Sequence, residues 1–417
     1  MAIASAAAVR AAAGWMPESQ DFELPSPDVC SLRVRVSRNI FKNTFAILIP
    51  NASGHKGLLM SAALGVFCDP RRSMRIFGEL SEDIVRSAEE LVSRGVISVE
   101  IAEDAPSELY IEALAKCAES NGECIVRDEH SKIASLKRNG ELIFGEVSAR
   151  AEVSPSEELA ALHRLSVAEV VKLVDELPES VEKLLRQTAE MNLAACKAGL
   201  TRPMGIGTGF FGTVDENRHS FSQHLSSLTA AGSDARMSGF PVEIMTSAGS
   251  GNQGIIATIP IVAYSEAHGV EERRMLQALG LSHLITMYMT GYIGYLSALC
   301  GVAIKAGIGA SCGVTYAMGG GADEVERAIK IMAATLTGMI CDGAKIGCAL
   351  KVSNASEMAV RGAELAMCKA EVPDDNGIVA PTAEQTIRNL AELGRTMEVV
   401  DQKIIEIMLA KLGAATT

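Results

Sequence analysis

The run KIASLKRNGELIFGEV (132–147), followed shortly by SPSEELAALHRL (154–165), decides the fold. The first alternates apolar and polar residues around Asn139-Gly140, a dipeptide that accepts the positive φ angles of a two-residue hairpin turn. The second opens on Ser-Pro and two acids, then spaces its apolar residues as a helix does. Strands therefore give way to helices between them, and a domain boundary is expected near 148–156.

Towards the N-terminus the texture is mixed. VISVEIA (96–102), ECIVRDE (123–129) and the period-two SLRVRVS (31–37) read as strands, and FAILIP (45–50) as a short buried strand. ELYIEALAKC (108–117) fits a strand or a helix equally. GLLMSAALGVF (57–67) and SEDIVRSAEELVSRG (81–95) read as helices, the latter with Ser81 as N-cap and Gly95 past its end. MAIASAAAVRAAA (1–13) lacks the basic start of a signal peptide and is broken by Arg10, so an Ala-rich helix entering a globular domain is the better reading. Beyond residue 154, SVAEVVKLVDEL (166–177), the segment 180–200 and EVVDQKIIEIMLAKLG (398–413) continue at helical spacing. The predicted fold class is α+β: a mixed α/β domain over 1–150, followed by a larger all-α, Gly-rich helical domain over 151–417.

Composition narrows the function classes. The 417 residues are 48% hydrophobic, which excludes disorder, and the net charge of −13 argues against a general nucleic-acid binder. Ten cysteines scattered through so long a chain indicate free thiols in a reducing compartment, and hence a cytoplasmic protein. Leu284–Ile304 runs for 21 residues without a charge, long enough to span a membrane. Its threonines, tyrosines and glycines, and the lack of flanking basic clusters, favour a buried central helix and no membrane partner.

Four stretches set polar or sulfur groups among small residues: SDARMSG (233–239), SAGSGNQGI (247–255), GIGASCGVTYAMGGG (307–321) and GMICDGAKIGCALKVS (338–353). The second leads into an apolar helix, whose N-terminal N–H groups could hold a carboxylate or phosphate; a plain capping turn is the alternative. It matches neither dinucleotide nor P-loop fingerprints. Cys312, Cys341 and Cys348 each lie within two residues of a glycine, and thiolates are the usual ligands of iron–sulfur clusters. Asp342-Gly343 favours a turn between the last two. Structural buried thiols remain the alternative on composition alone. His283, on an apolar helical run, reads as a satisfied core residue; His219 and His224 lie in a polar segment.

These segments resemble the L-cysteine desulfidase family, related to the catalytic subunit of iron–sulfur-dependent L-serine dehydratases. The matching runs are SRNIFKN (37–43), SDARMSG, SAGSGNQGIIATIP, GASCGVTYAMGGG, TGMICDGAKIGCALKVS, EVPDDNGI (371–378) and TIRNL (386–390). The resemblance implies a [4Fe–4S] cluster with one open iron, held by Cys312, Cys341 and Cys348. It also implies α,β-elimination of L-cysteine to pyruvate, ammonia and hydrogen sulfide without pyridoxal phosphate. Ser247, Ser250, Asn252 and Gln253 are expected to hold the substrate carboxylate, with Arg236 or Lys345 as added cations. The family's N-terminal Gly-Cys-Thr-Glu-Pro motif, whose cysteine is its proposed base, has no counterpart before the Ala-rich helix, so the catalytic base is unassigned. NASGHKG (51–57) also departs from the Pro-Gly-Thr-Gly-like turn of relatives. The alternatives are L-serine as substrate, or a non-catalytic paralogue that binds a cluster or an amino acid. A small amino acid is the expected partner, with a homo-oligomer as the assembly to look for.

Overall fold

The computed structural model describes residues 1–18, 29–146, 157–212 and 220–414. The last strand ends at Gly145 and the next helix begins at Glu157; the boundary expected near 148–156 lies outside the described residues, as does His219.

The N-terminal part is built on a six-stranded sheet of order β2-β1-β3-β4-β5-β6. Its strands are β1 (Val29–Val36), β2 (Ile97–Ile101), β3 (Tyr110–Cys117), β4 (Asn121–Arg127), β5 (Ile133–Arg138) and β6 (Glu141–Gly145). β1 and β2 are parallel and every other pair is antiparallel. The ambiguous 108–117 run is therefore a strand. Asn139 (φ 50°) and Gly140 (φ 87°) make the expected tight turn between β5 and β6.

Helix α1 (Ala2–Ala12) is buried along its whole length. Its alanines let it approach the sheet so closely that a methyl on Gly122 would lie 1.9 Å from the Ala8 carbonyl oxygen. Arg10, inside this helix, donates to the carbonyls of Ala6 (3.0 Å) and Val66 (3.3 Å). α2 (Arg38–Thr44), α3 (Gly57–Phe67) and α4 (Glu82–Ser93) lie between β1 and β2 in the chain. Ser81 caps α4 by accepting from the Ile84 N–H, and Gly95 (φ 68°) follows its end. FAILIP is not a strand. Phe45 has helical angles as the C-cap of α2, Pro50 has no N–H to donate, and Asn51 takes φ 58°, leaving only an isolated Leu48–Lys56 bridge.

The helical part comprises α5 (Glu157–Leu162), α6 (Val167–Leu173), α7 (Glu179–Gly199), α8 (Thr208–Gly212), α9 (Phe221–Met237), α10 (Gly251–His268), α11 (Glu272–Ile293), α12 (Ile308–Ala317), α13 (Ala322–Leu336), α14 (Cys348–Met367), α15 (Ala383–Thr396) and α16 (Glu398–Ala414). α12 is buried throughout, packed against α11, α14 and α10. Small residues set that packing: a methyl on Gly309 would lie 2.4 Å from the Ser282 carbonyl oxygen, and one on Gly313 2.8 Å from that of Ala278.

The apolar run 284–304 is not one helix. α11 stops where Gly294 adopts φ 95°; residues 294–300 form a loop, and a π-helical turn (Val302–Gly307) then leads into α12. Among the described residues no helix is long and apolar enough to cross a membrane. α16 turns back onto α2, where the fully buried Lys42 ammonium meets Asp401 at 2.6 Å.

Candidate active site

Three segments meet at one place. The loop 294–300 pairs with the loop before α14 through Cys300 N–H to Met339 O (2.9 Å) and Cys341 N–H to Ala298 O (2.7 Å). Cys348 begins α14, and its thiol lies 3.6 Å from the Gly343 carbonyl oxygen. Burial pushes the Cys300 thiol up to about 11, and the nearby Cys341 and Cys348 contribute in the same direction. Cys300, Cys341 and Cys348 are thus brought together.

Cys312 is not. It lies twelve residues beyond Cys300 along the π- and α-helical run, a separation on the order of 15 Å at helical rise. It is fully buried in α12, and burial raises its thiol pKa, with neither Cys341 nor Cys348 contributing. Of the three thiols expected together, the structure sets Cys341 and Cys348 near Cys300 and holds Cys312 apart in α12. The signal was present, since Cys300 also precedes a glycine, but it was hidden inside the run read as one apolar helix.

Among the described residues no three His, Cys, Asp or Glu side chains converge as they would around a single metal ion. A four-iron cluster asks for something else, because its thiolates spread around a volume, each on its own iron. Cys300, Cys341 and Cys348, carried by three short segments with Gly301, Gly343 and Gly347 beside them, fit that demand. Positive groups surround them. Lys305 senses Cys341 and Cys300, Lys351 senses the same two, and Arg236 senses Cys348. A metal is what would draw such thiols into the thiolate form, and the neighbouring cations would offset the charge so created.

The lysines differ in how they are held. Buried Lys305, on the π-helical turn, donates to the carbonyls of Gly294 (2.8 Å) and Tyr295 (3.2 Å). Burial pulls it down to about 8 against the pull of Glu108. Lys345 and Lys351 both bind Asp342 at 2.5 Å. Burial opposes ionisation of Asp342, yet these two lysines hold its carboxyl at about 2. Lys345 is thus engaged within its own loop. α2 braces both loops: the Lys42 carbonyl backs Gly343, where a methyl would lie 2.2 Å away, and its ammonium reaches Ser297 O at 3.5 Å.

The stretch 247–253 forms the adjoining wall. Ala248 (φ 48°) and Gly249 (φ 73°) turn the chain so that Ser247 and Ser250 bond each other's backbone. Ser250 then caps α10 by accepting from the Gln253 N–H at 3.4 Å. Arg236, in the last turn of α9, reaches this helix start: its Nη1 lies 3.3 Å from Asn252 Oδ1 and 3.0 Å from Met237 Sδ. Only glycine fits at 251, since a methyl there would lie 2.4 Å from Arg236 Nε. Arg236 has no carboxylate partner among the described residues, and burial lowers its pKa. Gln253 is buried, and its Oε1 has no hydrogen-bond donor. Its amide flanks Gly301, as does Lys305: a methyl on Gly301 would lie 3.1 Å from Gln253 Nε2 and 2.7 Å from Lys305 Cε. The wall thus meets the Cys300-bearing loop at Gly301.

Asp234, also in SDARMSG, has another task. It accepts from the Gly209 N–H at 2.8 Å and anchors the turn before α8; burial raises its carboxyl to about 6 despite the amides of residues 206–209. His130, on the β4–β5 loop, approaches Gly249 from the sheet side, and burial, the Met1 amino group and Arg236 together lower its pKa. A separate cavity of ≈ 260 Å³, bounded by Ser37, Arg38, Glu108, Arg395 and Asp401, abuts Ser297–Ala298 from the other side and includes none of the thiols.

A family model described as serine dehydratase alpha chain matches residues 108–406, which include the thiols, Arg236 and the whole of the 247–253 wall. The chain belongs to the serine dehydratase alpha chain family. Relatives extend the likeness across the sheet. The chain is 34% identical over 388 residues to a UPF0597 protein of Alkaliphilus metalliredigens, covering 92% of this chain and 86% of the relative. It is 35% identical over 380 residues to one of Caldanaerobacter subterraneus subsp. tengcongensis (91% and 89%), and 35% over 417 residues to one of Desulfatibacillum aliphaticivorans (96% and 92%).

Proposed function

We propose that the chain is a lyase that eliminates the β-substituent of a small L-α-amino acid, with L-cysteine as substrate and pyruvate, ammonia and hydrogen sulfide as products. The observation that carries this reading is a pair of unmet demands at the start of α10: a part-buried guanidinium that meets no carboxylate, and a buried Gln253 amide oxygen that meets no donor, among the described residues. A carboxylate and an ammonium on one carbon satisfy both.

Cys300, Cys341 and Cys348 would hold a [4Fe–4S] cluster. When bound, such a cluster with one iron free of protein ligand supplies a Lewis acid for the leaving sulfur or oxygen. The chain's own residues do the rest. Arg236, oriented by Asn252, holds the carboxylate. Gln253 accepts from the ammonium and points the substrate across Gly301 toward the thiols. Lys305, which burial brings down to about 8, is the buried amine nearest that crossing; in its neutral form both N–H bonds go to carbonyls and the free lone pair can take up the Cα proton. Cys68, Cys124, Cys196, Cys300, Cys312, Cys341, Cys348 and Cys368 are free thiols, which supports a cytoplasmic setting.

The test is anaerobic reconstitution with iron and sulfide, followed by assays for sulfide and pyruvate from L-cysteine and for pyruvate from L-serine. Faster turnover of L-cysteine is expected. The family description favours L-serine as the second reading, and pyruvate from L-serine alone would select it. No product from either amino acid, with the cluster loaded, would refute the lyase.

A further inference from the structure

His283 is more than a core histidine, and the hydrogen bonds around it fix where each proton lies. The Thr258 hydroxyl is 2.7 Å from the Gly254 carbonyl oxygen, so its proton is committed there. Asn192 Nδ2 donates to the same Thr258 Oγ1 at 3.1 Å. The remaining neighbour of that oxygen is His283 Nε2 at 3.3 Å, and with the threonine proton already used the ring nitrogen must donate. Burial pulls the imidazole down to about 4, so at neutral pH its second nitrogen carries no proton. Ser247 Oγ lies 3.1 Å from that Nδ1, and the proton between them is the serine's own. The Ser247 hydroxyl is thereby spent on His283, and its lone pairs remain as acceptors on the wall that carries Asn252 and Gln253.

We propose that His283 is a positioning residue that fixes Ser247 as a hydrogen-bond acceptor for the substrate ammonium. This assigns Ser247 to the amino end of the substrate rather than to the carboxylate expected from the sequence. It rests on the amino-acid reading above. The order Gly254–Thr258–His283–Ser247 points every proton away from the site, so a group that offers N–H bonds is favoured over one that does not. An L-α-amino acid is selected over the same acid without its amine.

Two measurements test this. In protein labelled with ¹⁵N-histidine and free of cluster, long-range ¹H–¹⁵N spectra should show His283 as the Nε2–H tautomer. It should stay neutral between about pH 8 and pH 5.5, where an ordinary histidine titrates; His283→Gln identifies the signal. An Nδ1–H tautomer or an imidazolium in that range overturns the proton order. With reconstituted protein, Ser247→Ala should weaken L-cysteine binding on the order of tenfold and leave 3-mercaptopropionate, which lacks the amine, unchanged. Equal loss of both ligands, or loss of neither, overturns the ammonium role. If the unmodified protein binds neither compound, the amino-acid reading fails and takes the ammonium role with it, whereas the tautomer measurement still decides the role of His283.

Discussion

Replacing Arg236 with methionine should move stability and substrate affinity in opposite directions. The guanidinium sits between α9 and the first turn of α10, and its hydrogen-bond partners are an amide oxygen at 3.3 Å and a thioether at 3.0 Å. Neither carries a charge to offset the loss of water around the cation, so in the ligand-free protein the charge is a burden. Methionine keeps the length and packing of the side chain and removes that burden. The folded state should gain about 0.5–2 kcal/mol, as other functional residues do when made inert. The same change removes the charge-assisted bonds to the substrate carboxylate, worth roughly 1.5–3 kcal/mol, or about 10- to 150-fold in KM. Urea unfolding of cluster-free protein would give the first number, and steady-state elimination of L-cysteine the second. A variant that is less stable than the parent, with an unchanged KM, would make Arg236 a structural residue and refute the reasoning.

The thiol assignment separates cleanly by substitution. Cys300→Ser, Cys341→Ser and Cys348→Ser should each lose most of the iron and acid-labile sulfide taken up on anaerobic reconstitution, whereas Cys312→Ser should load as the parent does; iron analysis decides between them. Asp401→Asn leaves the buried Lys42 ammonium without its partner and should cost about 3–5 kcal/mol in urea unfolding, while Lys42→Met combined with Asp401→Asn should recover much of it. His283, with a folded pKa of about 4 against an ordinary 6.5, binds fewer protons folded than unfolded. Its contribution to stability is present above pH 6.5 and lost as pH falls towards 4; His283→Gln should flatten the stability profile over that window, and an unchanged slope would assign the loss to other groups.

Local chemistry was the legible part of this sequence. Asn139-Gly140, Ser81 and the alternation in SLRVRVS each encode their own backbone, so the turn, the cap and β1 follow from neighbours in the chain. The misreadings arose where a distant contact or a single glycine overrides a run. FAILIP has strand composition, but Phe45 is spent ending α2 and Pro50 breaks the ladder. The run 284–304 looks continuous because hydropathy does not register that Gly294 adopts φ 95°. That one break moved Cys300 out of an imagined helix and into the loop that meets Cys341. Arg236, Asn252 and Gln253 stood out as polar residues among small ones, yet nothing in their spacing shows that, among the described residues, Arg236 meets no carboxylate and Gln253 Oε1 no donor. His283 read as core because the serine and threonine that bind it lie 36 and 25 residues away.

The contact of α12 with its neighbours fixes the core behind the site. Gly309 and Gly313 already bring helix against helix at the limit of contact, so no side chain can be added there without pushing α12 off its neighbours. A designer seeking to admit a bulkier amino acid would have to work at the rim, in the loops 294–300 and 338–347. Their bends at Gly294 and Gly343 are set by glycine's left-handed freedom.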